Sequence, residues 1–453
     1  MLRQKSIDYV LAFSLGGIFL VITNVLQRYE TFALLTAYFF AFVIYAWIIY
    51  RTREDSVDFW FYAALALRGS LLFAVPNLSE DFYRYLWDGR LLAAGIHPFA
   101  EVPSYYMHHG VVIPGINQEL FQHLNSPNYF TIYPPVAQFI FWLAAQLSPD
   151  SIYGGLVVMK VLVFFAEAGS LILLKNILTL KNIPSKNILF YALNPLVILE
   201  LSGNIHLEAF LILFLLFSLY YLLSNKLYSA AISFALAICI KLIPLIFLPL
   251  IPFFVGWKRT LQFYFIAGVV SLLLFLPLLN QEIFDGFNHS LGYYFKKFEF
   301  NASLYYLVRE AGYWVVGYNI IQTAGWALGV IAGIAILWIS FFRMKITVNG
   351  TELSAAQFQN LTNRLLFTLL IYFTFSTIVH PWYITTLVAI ATFTHYRFVL
   401  LWSALAFLTY AGYTPNGFQE NLWIVALEYL LVFGYLVYEL LWKKESSSSV
   451  AYY

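Results

Sequence analysis

The chain carries very little charge. Aspartate, glutamate, lysine and arginine make up only 11% of its 453 residues, whereas a soluble domain carries roughly 25%. So little charge cannot cover a surface that faces water, and 61% of the residues are hydrophobic. Apolar runs of about 20 residues, each long enough to cross a bilayer as a helix, recur along the sequence. The composition therefore excludes an ordinary soluble enzyme and predicts a protein solvated by lipid.

Other absences narrow the class. The sequence lacks the alternating segments of about ten residues that are typical of a membrane β-barrel, so we predict an all-α polytopic membrane protein. Its single cysteine, Cys239, cannot form an internal disulfide. It contains no glycine-rich phosphate loop, which argues against a soluble nucleotide-sugar donor. With a net charge of +2, the chain is not expected to bind nucleic acid.

The apolar segments predict about 14 transmembrane helices in a single integral membrane domain, residues 1–453. We divide this domain into a pair of extra N-terminal helices, a catalytic module and a C-terminal helical module, at residues 1–58, 59–280 and 281–453. Two long loops, at 76–130 and 279–318, interrupt the helical pattern, and loops of such length are usually functional.

Positive charges in the short loops predict the orientation. Arg3 and Lys5 place the N-terminus in the cytoplasm, and Arg51 with Arg53 lie there again after two spans. Both long loops then face the extracytoplasmic side. We therefore predict a multi-pass protein of the bacterial inner or plasma membrane, with its active site outside the cytoplasm.

The segments between residues 131 and 254 fit this orientation in two ways. If segments 131–148 and 152–176 both span, three lysines fall on the outer side, against the charge rule. These lysines are Lys175, Lys181 and Lys186. Alternatively, only one of the two segments spans, and 227–254 makes two short crossings at a break that its prolines would allow. Both alternatives give the same total, and the sequence leaves both open.

The acidic stretch 79–90 is the most informative part of the chain. Ser79 suits the N-cap of a helix, and the acids directly after it suit the first helical turn. Gly95 and the His97–Pro98 pair would end that helix. Capping is thus a purely structural explanation for one acid of this stretch.

Capping does not explain the rest of the motif. Asp81, Arg84 and Asp88 are spaced i, i+3 and i+7, so they share one face of the predicted helix. An aspartate at a lipid–water boundary can accept the proton of an attacking hydroxyl. Guanidinium groups such as those of Arg84 and Arg90 can stabilise the charge that grows on a phosphate leaving group. The motif therefore indicates glycosyl transfer from a lipid-linked phosphate sugar.

Four short motifs follow one another within about residues 60–260. They are Asp81-Phe-Tyr-Arg-Tyr with Gly95-Ile-His-Pro-Phe, Tyr133-Pro-Pro, Asn194-Pro-Leu with Gly203-Asn-Ile-His-Leu-Glu, and Lys241-Leu-Ile-Pro. In this order they resemble the GT-C superfamily of membrane glycosyltransferases. The set is similar in particular to polyprenyl-phosphate mannosyltransferases and to the enzyme that adds the first mannose in GPI-anchor assembly.

The resemblance implies a GT-C-like catalytic module in 59–280 with an extracytoplasmic catalytic base at Asp81. It also implies a polyprenyl-phosphate sugar donor, inversion at the anomeric carbon and mannose as the sugar, with a glycan or a lipid as the acceptor. It favours two spans within 131–176. Some relatives carry an Asp-x-Asp motif, whereas position 83 here is Tyr. No metal ligand is therefore assigned, and a requirement for a divalent metal stays open.

Polar residues inside the apolar segments are further candidates. Glu200, Asn204 and Glu208 would line one face of a continuous helix, with His206 pointing elsewhere. A polar seam between helices is the structural alternative. Lys241 is a candidate phosphate contact, unless its ammonium group simply snorkels to the interface.

The outer loops complete the set of candidates. Lys296 and Asn301 lie among aromatic side chains, which suits a phosphate and a sugar or, alternatively, a solvated loop. His380 interrupts an apolar run, where a structural role is the alternative. The candidate substrate-binding residues are Arg84, Asp88, Arg90, His97, Tyr133, Asn204, His206, Glu208, Lys241, Lys296, Asn301 and His380.

A transporter or flippase of lipid-linked sugars is the alternative function. Many transporters carry repeated halves with broken helices at matching positions, and the two long outer loops do not match in motif or length. A polymerase or ligase that uses a pyrophosphate-linked glycan would also act outside the cytoplasm. A comparison of monophosphate and pyrophosphate donors would separate it from a mannosyltransferase.

Overall fold

The computed structural model describes residues 2–279, 298–342 and 353–441. In these ranges the regular secondary structure is helical except for one short hairpin, which pairs Tyr413–Thr414 with Gly417–Phe418. The predicted all-α class is therefore confirmed.

The chain order of the helices is as follows. The first half contains α1 (Leu2–Asn24), α2 (Thr31–Arg51), α3 (Val57–Ser70), α4 (Asp81–Ala93), α5 (Pro103–His108), α6 (Gln118–Gln122), α7 (Pro135–Leu147), α8 (Ile152–Leu180), α9 (Leu189–Ala192), α10 (Pro195–Val197) and a π-helical turn (Ile198–Gly203). The second half contains α11 (Glu208–Leu223), α12 (Leu227–Ile238), α13 (Ile251–Val255), α14 (Trp257–Phe275), α15 (Leu304–Val316), α16 (Ile321–Phe341), α17 (Ala355–Phe375), α18 (Ile384–Ala391), α19 (Phe398–Leu405) and α20 (Leu422–Leu441). Short 3₁₀ turns lie at Glu54–Ser56, Ser185–Ile188, Ile243–Leu250, Leu276–Leu278, Pro381–Tyr383 and Ala406–Gly412.

Six of the described helices are long and apolar enough to cross a membrane. They are α1 from Ser6, α2, α8, α14 with the turn after it, α16 and α20. A seventh candidate consists of Pro195–Gly203 and Glu208–Leu223, which are bent by 112° at their break. The other apolar helices have only 10–17 residues. The structure is thus that of a helical membrane protein, while the total of about 14 spans stays a prediction.

Helices α3 and α8 run antiparallel, and each extends from one end of the helical bundle to the other. At the start of α8, the Tyr153 hydroxyl donates to the carbonyl of Phe73, just beyond α3, at 3.1 Å. Near the end of α8, Lys175 pairs with Asp58, at the start of α3, at 2.7 Å. Because Asp81 follows α3, it lies at the opposite end from Lys175.

The lysines that follow α8 lie beside the end of α2. The ammonium group of Lys186 donates to the carbonyl of Tyr50 at 3.4 Å, next to Arg51. We call this end of the bundle, with Arg51, Lys175 and Lys186, the basic end, and the opposite one the Asp81 end. The lysines thus share an end with Arg51, as the charge rule requires if only one of the segments 131–148 and 152–176 spans.

Helix α7 packs along α4 and is short. With 13 residues it is about 20 Å long, less than the hydrocarbon core of about 30 Å. Gly89 allows α4 to approach it closely, since a Cβ atom there would lie 2.2 Å from the carbonyl oxygen of Phe141. Of the two segments of this stretch, α8 alone is long and apolar enough to be a candidate span, while α7 is one of the shorter apolar helices.

Residues 227–254 form a broken hairpin. Helix α12 runs to Ile238, and after a break the chain returns through the 3₁₀ turn and α13. The two ends of this hairpin meet, because Arg259 donates to the side chain of Asn225 at 2.6 Å. Its tip carries Lys241 and contacts the start of α7, where the Cys239 carbonyl accepts from Val136 N–H at 2.9 Å. Its first arm, α12, has 12 residues and is as short as α7, so the two crossings of 227–254 stay a prediction.

Candidate active site

The start of α4 positions Asp81. Its backbone N–H donates to the Ser79 hydroxyl at 3.3 Å, and Asp81 is the first residue of the helix. The helix ends at Ala93, and Gly95 follows with a φ of +74°, which glycine adopts without strain. The helix predicted between Ser79 and Gly95 is therefore confirmed. The prediction of Ser79 as its N-cap is wrong, because Glu80 holds that position without a side-chain capping bond and only Asp81 lies in the first turn.

One oxygen of the Asp81 carboxylate is held and the other is open. Oδ1 accepts a hydrogen bond of 2.8 Å from the side-chain amide of Asn125. Oδ2 lies 3.9 Å from Nδ1 of His206, too far for a direct hydrogen bond. The Asp81 side chain is 23% exposed and that of His206 only 1%. A substrate hydroxyl bound to Oδ2 would therefore lie within reach of both side chains.

His206 reaches Asp81 because the helix before it is broken. The π-helical turn ends at Gly203, and Ile205 follows with a φ of +60°. A β-branched residue rarely adopts this conformation, which costs on the order of 1–3 kcal/mol. The chain then enters α11 at an angle of 112°. The shared face of Glu200, Asn204 and Glu208, which required a continuous helix, is therefore not formed, and His206 lies beside Glu200.

Glu200 contacts several polar groups on the side of His206 opposite to Asp81. It is fully buried, and its Oε2 lies 3.2 Å from Nε2 of His206, although the two groups are not aligned as a hydrogen bond. The same oxygen accepts from the Asn204 amide at 3.1 Å, and Oε1 accepts from the Tyr410 hydroxyl at 2.8 Å. These contacts offset the cost of a buried carboxylate.

Trp382 lies between two histidines. Its ring stacks on that of His206, with centroids 3.8 Å apart, and on that of His380, at 4.2 Å. Burial holds the pKa of the His380 imidazole well below its usual range, and the charges of Lys241 and His206 act in the same direction. The His380 ring is therefore neutral. The structure thus brings His380 to within one aromatic ring of His206.

Lys241 lies at the same end of the bundle, at the tip of the hairpin 227–254. Its Nζ atom lies 2.5 Å from Oε1 of Glu208 and 3.8 Å from the centroid of the Tyr383 ring. The Lys241 side chain is 29% exposed, while that of Glu208 is 3% exposed. The charges of Glu208 and Asp81 both act on the Tyr383 hydroxyl. A partly open ammonium group thus lies beside Tyr383, on the same 3₁₀ turn as the Trp382 that stacks on His206.

Arg28 was not recognised from the sequence. It follows α1, and its Nη2 atom lies 2.5 Å from Oε1 of Glu80, the neighbour of Asp81. Its guanidinium group also lies 4.7 Å from the ring centroid of Tyr413. The Arg28 side chain is 29% exposed. No local pattern connects it with a residue 52 positions away.

Arg84 and Asp88 form a buried ion pair of 2.8 Å. Arg84 also donates to the carbonyls of Ser126 and Tyr129, at 3.3 and 2.8 Å. The Thr131 hydroxyl donates to Asp88 at 2.5 Å. These contacts fasten the end of the outer loop 76–130 onto α4, so that Asn125 is held near Asp81.

Two further candidates on this loop make contacts away from Asp81. Arg90, at the other end of α4, donates to the carbonyl of Gly115 at 2.6 Å. A ring nitrogen of His97 lies 3.1 Å from the carbonyl of Leu278 after α14. The structure does not bring either residue into contact with Asp81.

The remaining candidates are distributed around the site. Tyr133 packs edge-on against Tyr85, with centroids 5.1 Å apart, and the charge of Asp81 acts on the Tyr85 hydroxyl. Asn301 is buried, and its amide donates to Glu428 at 3.2 Å. Lys296 lies outside the described residues, as does the part of the second outer loop from 280 to 297.

The acids of the site do not form a metal-binding group. Across the described ranges, no cluster of three or more His, Cys, Asp or Glu side chains is arranged to hold a metal ion. Instead, the carboxylates of Glu200 and Asp81 lie on opposite sides of the His206 ring. This arrangement suits proton transfer from a bound hydroxyl.

Residues 14–257 match the model of a family described as alpha-(1->6)-mannopyranosyltransferase, N-terminal domain. The chain belongs to this family. This mannosyltransferase is therefore a glycosyltransferase, and the predicted enzyme class is confirmed. No curated protein sequence matches it. The matched part of the mannosyltransferase contains Asp81, His206 and Lys241, while His380 and Trp382 lie beyond it.

The sequence reasoning missed several residues of this site. Asn125 and Trp382 contact Asp81 and His206 only through the tertiary fold. Glu200 was placed on a helix face but not in the site. The one available signal was the polar run from Glu200 to Glu208 inside an apolar segment, because such residues in membrane proteins are usually functional.

Proposed function

We propose that the protein transfers mannose from a polyprenyl-phosphate donor to an acceptor hydroxyl on the extracytoplasmic side of the membrane. The observation that carries this proposal is the Asp81 carboxylate, held at Oδ1 by Asn125 and open at Oδ2 beside His206. Family membership supports the transfer of mannose. The six helices that are long and apolar enough to cross a membrane support a donor that is itself a lipid.

Asp81 acts as the general base in this proposal. The acceptor hydroxyl binds Oδ2, transfers its proton to the carboxylate and attacks the anomeric carbon of the donor. The bond between that carbon and the phosphate oxygen breaks, and its electron pair leaves with the lipid phosphate. Positioned bases contribute typically about 10²–10⁴-fold to such reactions.

The stereochemistry follows from a single displacement. The acceptor oxygen attacks from the side opposite to the phosphate, so the configuration at the anomeric carbon inverts. The family description specifies an α linkage to a 6-hydroxyl. Carried over to this chain, it requires a β-linked donor and an acceptor with a primary hydroxyl group, on a glycan or a glycolipid.

Lys241 is the proposed contact for the donor phosphate. It is partly exposed, and the Glu208 carboxylate that it contacts is buried. A lysine can hold a phosphate as a point charge. Arg84 and Asp88 are proposed to act indirectly, through the loop that they fasten. Lys296 stays a predicted contact.

The orientation of the protein is proposed from its charges. Arg51, Lys175 and Lys186 support a cytoplasmic location for the basic end. Asp81 would then face the periplasm or the cell exterior. The predicted total of about 14 crossings is kept, with α7 outside the count and 227–254 crossing twice.

Mannose transfer by the Asp81→Asn variant in proteoliposomes loaded with polyprenyl-phosphate mannose tests the proposal. Turnover should fall by about 10²-fold or more, because the amide cannot accept the proton. Asp55→Asn, at an exposed aspartate of the basic end, is the matched control and should keep full activity. Undiminished turnover by Asp81→Asn would refute its role. Equal use of a pyrophosphate-linked donor would instead favour a polymerase or ligase.

A further inference from the structure

We propose that His206 and Glu200 form a relay that receives the proton taken up by Asp81. This proposal rests on the proposed function and adds two residues to its mechanism. The geometry that carries it is a row of three side chains. His206 lies between two carboxylates, with Nδ1 3.9 Å from Oδ2 of Asp81 and Nε2 3.2 Å from Oε2 of Glu200.

The position of Glu200 influences which ring nitrogen of His206 carries the hydrogen. Although the pair is not aligned as a hydrogen bond, the negative charge of a carboxylate 3.2 Å from Nε2 favours a hydrogen on that nitrogen, which leaves the lone pair on Nδ1. This lone pair faces Asp81 and the space for the acceptor hydroxyl. An imidazole with a carboxylate behind it is a well-established arrangement for accepting a proton, because the carboxylate orients the ring and stabilises its charged form.

The backbone just before His206 adopts two uncommon conformations. A π-helical turn is uncommon and is often found at functional sites. Ile205 has a φ of +60°, which disfavours a β-branched side chain. The stacking of Trp382 on the imidazole then fixes the ring plane. Strain of this kind persists only where the surrounding structure holds it, and here it turns His206 toward Asp81.

In the proposed reaction the proton of the acceptor hydroxyl passes first to Asp81 and then to His206. The O–H bond of the acceptor breaks as its proton passes to Oδ2 of Asp81, and the acceptor oxygen forms the new bond to the anomeric carbon. The lipid phosphate leaves with the electron pair of the broken bond. The proton then passes from Asp81 through a bridging water molecule to Nδ1 of His206, since 3.9 Å is too long for direct transfer, and the ring becomes an imidazolium between two carboxylates. After product release, the ring gives the proton to water, and Asp81 is again a carboxylate.

Several charged or titratable groups face this relay and would shape its pH dependence. Asp81 faces His206 from α4, and Glu200 faces it from the π-helical turn. Tyr410 donates to Glu200 from the 3₁₀ turn before the β-hairpin. His380 lies across the Trp382 ring, within the electrostatic range of Lys241.

The test compares the pH dependence of kcat in the wild type, His206→Asn and Glu200→Gln, with polyprenyl-phosphate mannose as the donor. His206→Asn should lower kcat by about 10²-fold, with less than about a threefold change in KM. Glu200→Gln keeps the shape of the side chain and removes its charge. It should move the acid limb of the kcat profile to lower pH, because the imidazolium loses a stabilising neighbour. The exposed His109→Asn is the control and should change neither quantity.

The outcomes separate this relay from the assignment of Asp81. If Asp81→Asn is inactive while His206→Asn and Glu200→Gln keep the kcat and acid limb of the wild type, the relay is overturned and Asp81 remains the base. If Asp81→Asn is fully active, the proposed function itself fails. A purely structural role for Glu200 would lower the amount of folded protein without moving the acid limb, and this result would also overturn the relay.

Discussion

Lys241 and Glu208 form an ion pair of 2.5 Å across the gap between the hairpin 227–254 and the start of α11. Glu208 is almost fully buried, but Lys241 keeps 29% of its side chain exposed. The Glu208 carboxylate therefore contacts the buried side of the Lys241 ammonium group and leaves another part of this side chain exposed. The exposed part is available to an anion that enters at the Asp81 end.

Replacing Lys241 with methionine should weaken binding of the donor more than it slows the chemistry. Methionine retains the apolar stem and removes the charge that would hold the phosphate. We expect KM for polyprenyl-phosphate mannose to rise about tenfold or more, since a hydrogen bond to a charged group contributes about 1.5–3 kcal/mol. Lys175→Met, at the basic end, is the control. A variant with wild-type KM would rule out this phosphate contact.

Asn125 should matter for turnover and not for stability. It is an exposed residue whose amide holds Oδ1 of Asp81 at 2.8 Å. Asn125→Ala would let the carboxylate rotate away from the reactive position. We expect kcat to fall by about tenfold, which corresponds to about 1.4 kcal/mol, with little change in the melting temperature. Gln122→Ala, at another exposed amide of the same loop, should leave kcat unchanged.

The helix that carries Asp81 could be predicted because its signals are local. Ser79 lies two residues before the helix begins and Gly95 two residues after it ends, so both boundaries could be placed approximately from local residues. Long apolar helices such as α8 can also be predicted from local sequence. In lipid, the backbone N–H and C=O groups of such a segment must form hydrogen bonds within the segment, and a helix achieves this.

The contacts of His206 could not be predicted in this way. The spacing of Glu200, Asn204 and Glu208 predicts one shared face only if the helix is unbroken, and the sequence does not show whether it is. The break requires a left-handed conformation at Ile205, a residue type that almost never adopts it. Only the packing of residues distant in sequence, such as Trp382, makes that conformation stable.

Lys160 should be essential for the stability of the segment that presents His206. Its ammonium group donates to the carbonyls of Leu71, Ser202 and Gly203, each at 2.9 Å. Lys160→Met would leave these buried carbonyls without their donor, at a cost of about 1–3 kcal/mol. We expect a lower melting temperature in detergent and reduced kcat. An unchanged melting temperature would mean that other groups satisfy these carbonyls.

Labelling with a membrane-impermeant maleimide should report the two ends from opposite sides. The single native cysteine is buried, so Cys239→Ala provides a background without reactive thiols. In this background, Val112→Cys, at a residue that is 94% exposed on the outer loop, should react in intact cells. Asp55→Cys, at the basic end, should react only after the cells are broken. The reverse pattern would place Asp81 in the cytoplasm and refute the proposed orientation.

The stability of the protein should fall between pH 4.5 and about 7 because of Glu420. Burial, opposed in part by the N–H of Asn301, raises the pKa of this carboxyl group from 4.5 to about 7 in the folded protein. The folded state therefore binds the proton more tightly than the unfolded state. Its stabilising effect is complete below pH 4.5 and is lost as the pH rises through 7.

Glu420→Gln should remove this pH-dependent component, because an amide resembles the protonated acid at every pH. Melting temperatures in detergent, measured from pH 4.5 to 8, should fall less steeply with pH in the variant than in the wild type. Glu119→Gln, at an exposed glutamate of the first outer loop, is the control and should follow the wild type. If Glu420→Gln and the wild type lose stability in parallel over this range, the buried carboxyl group is not the source of the pH dependence. Another group in the folded protein must then bind the proton.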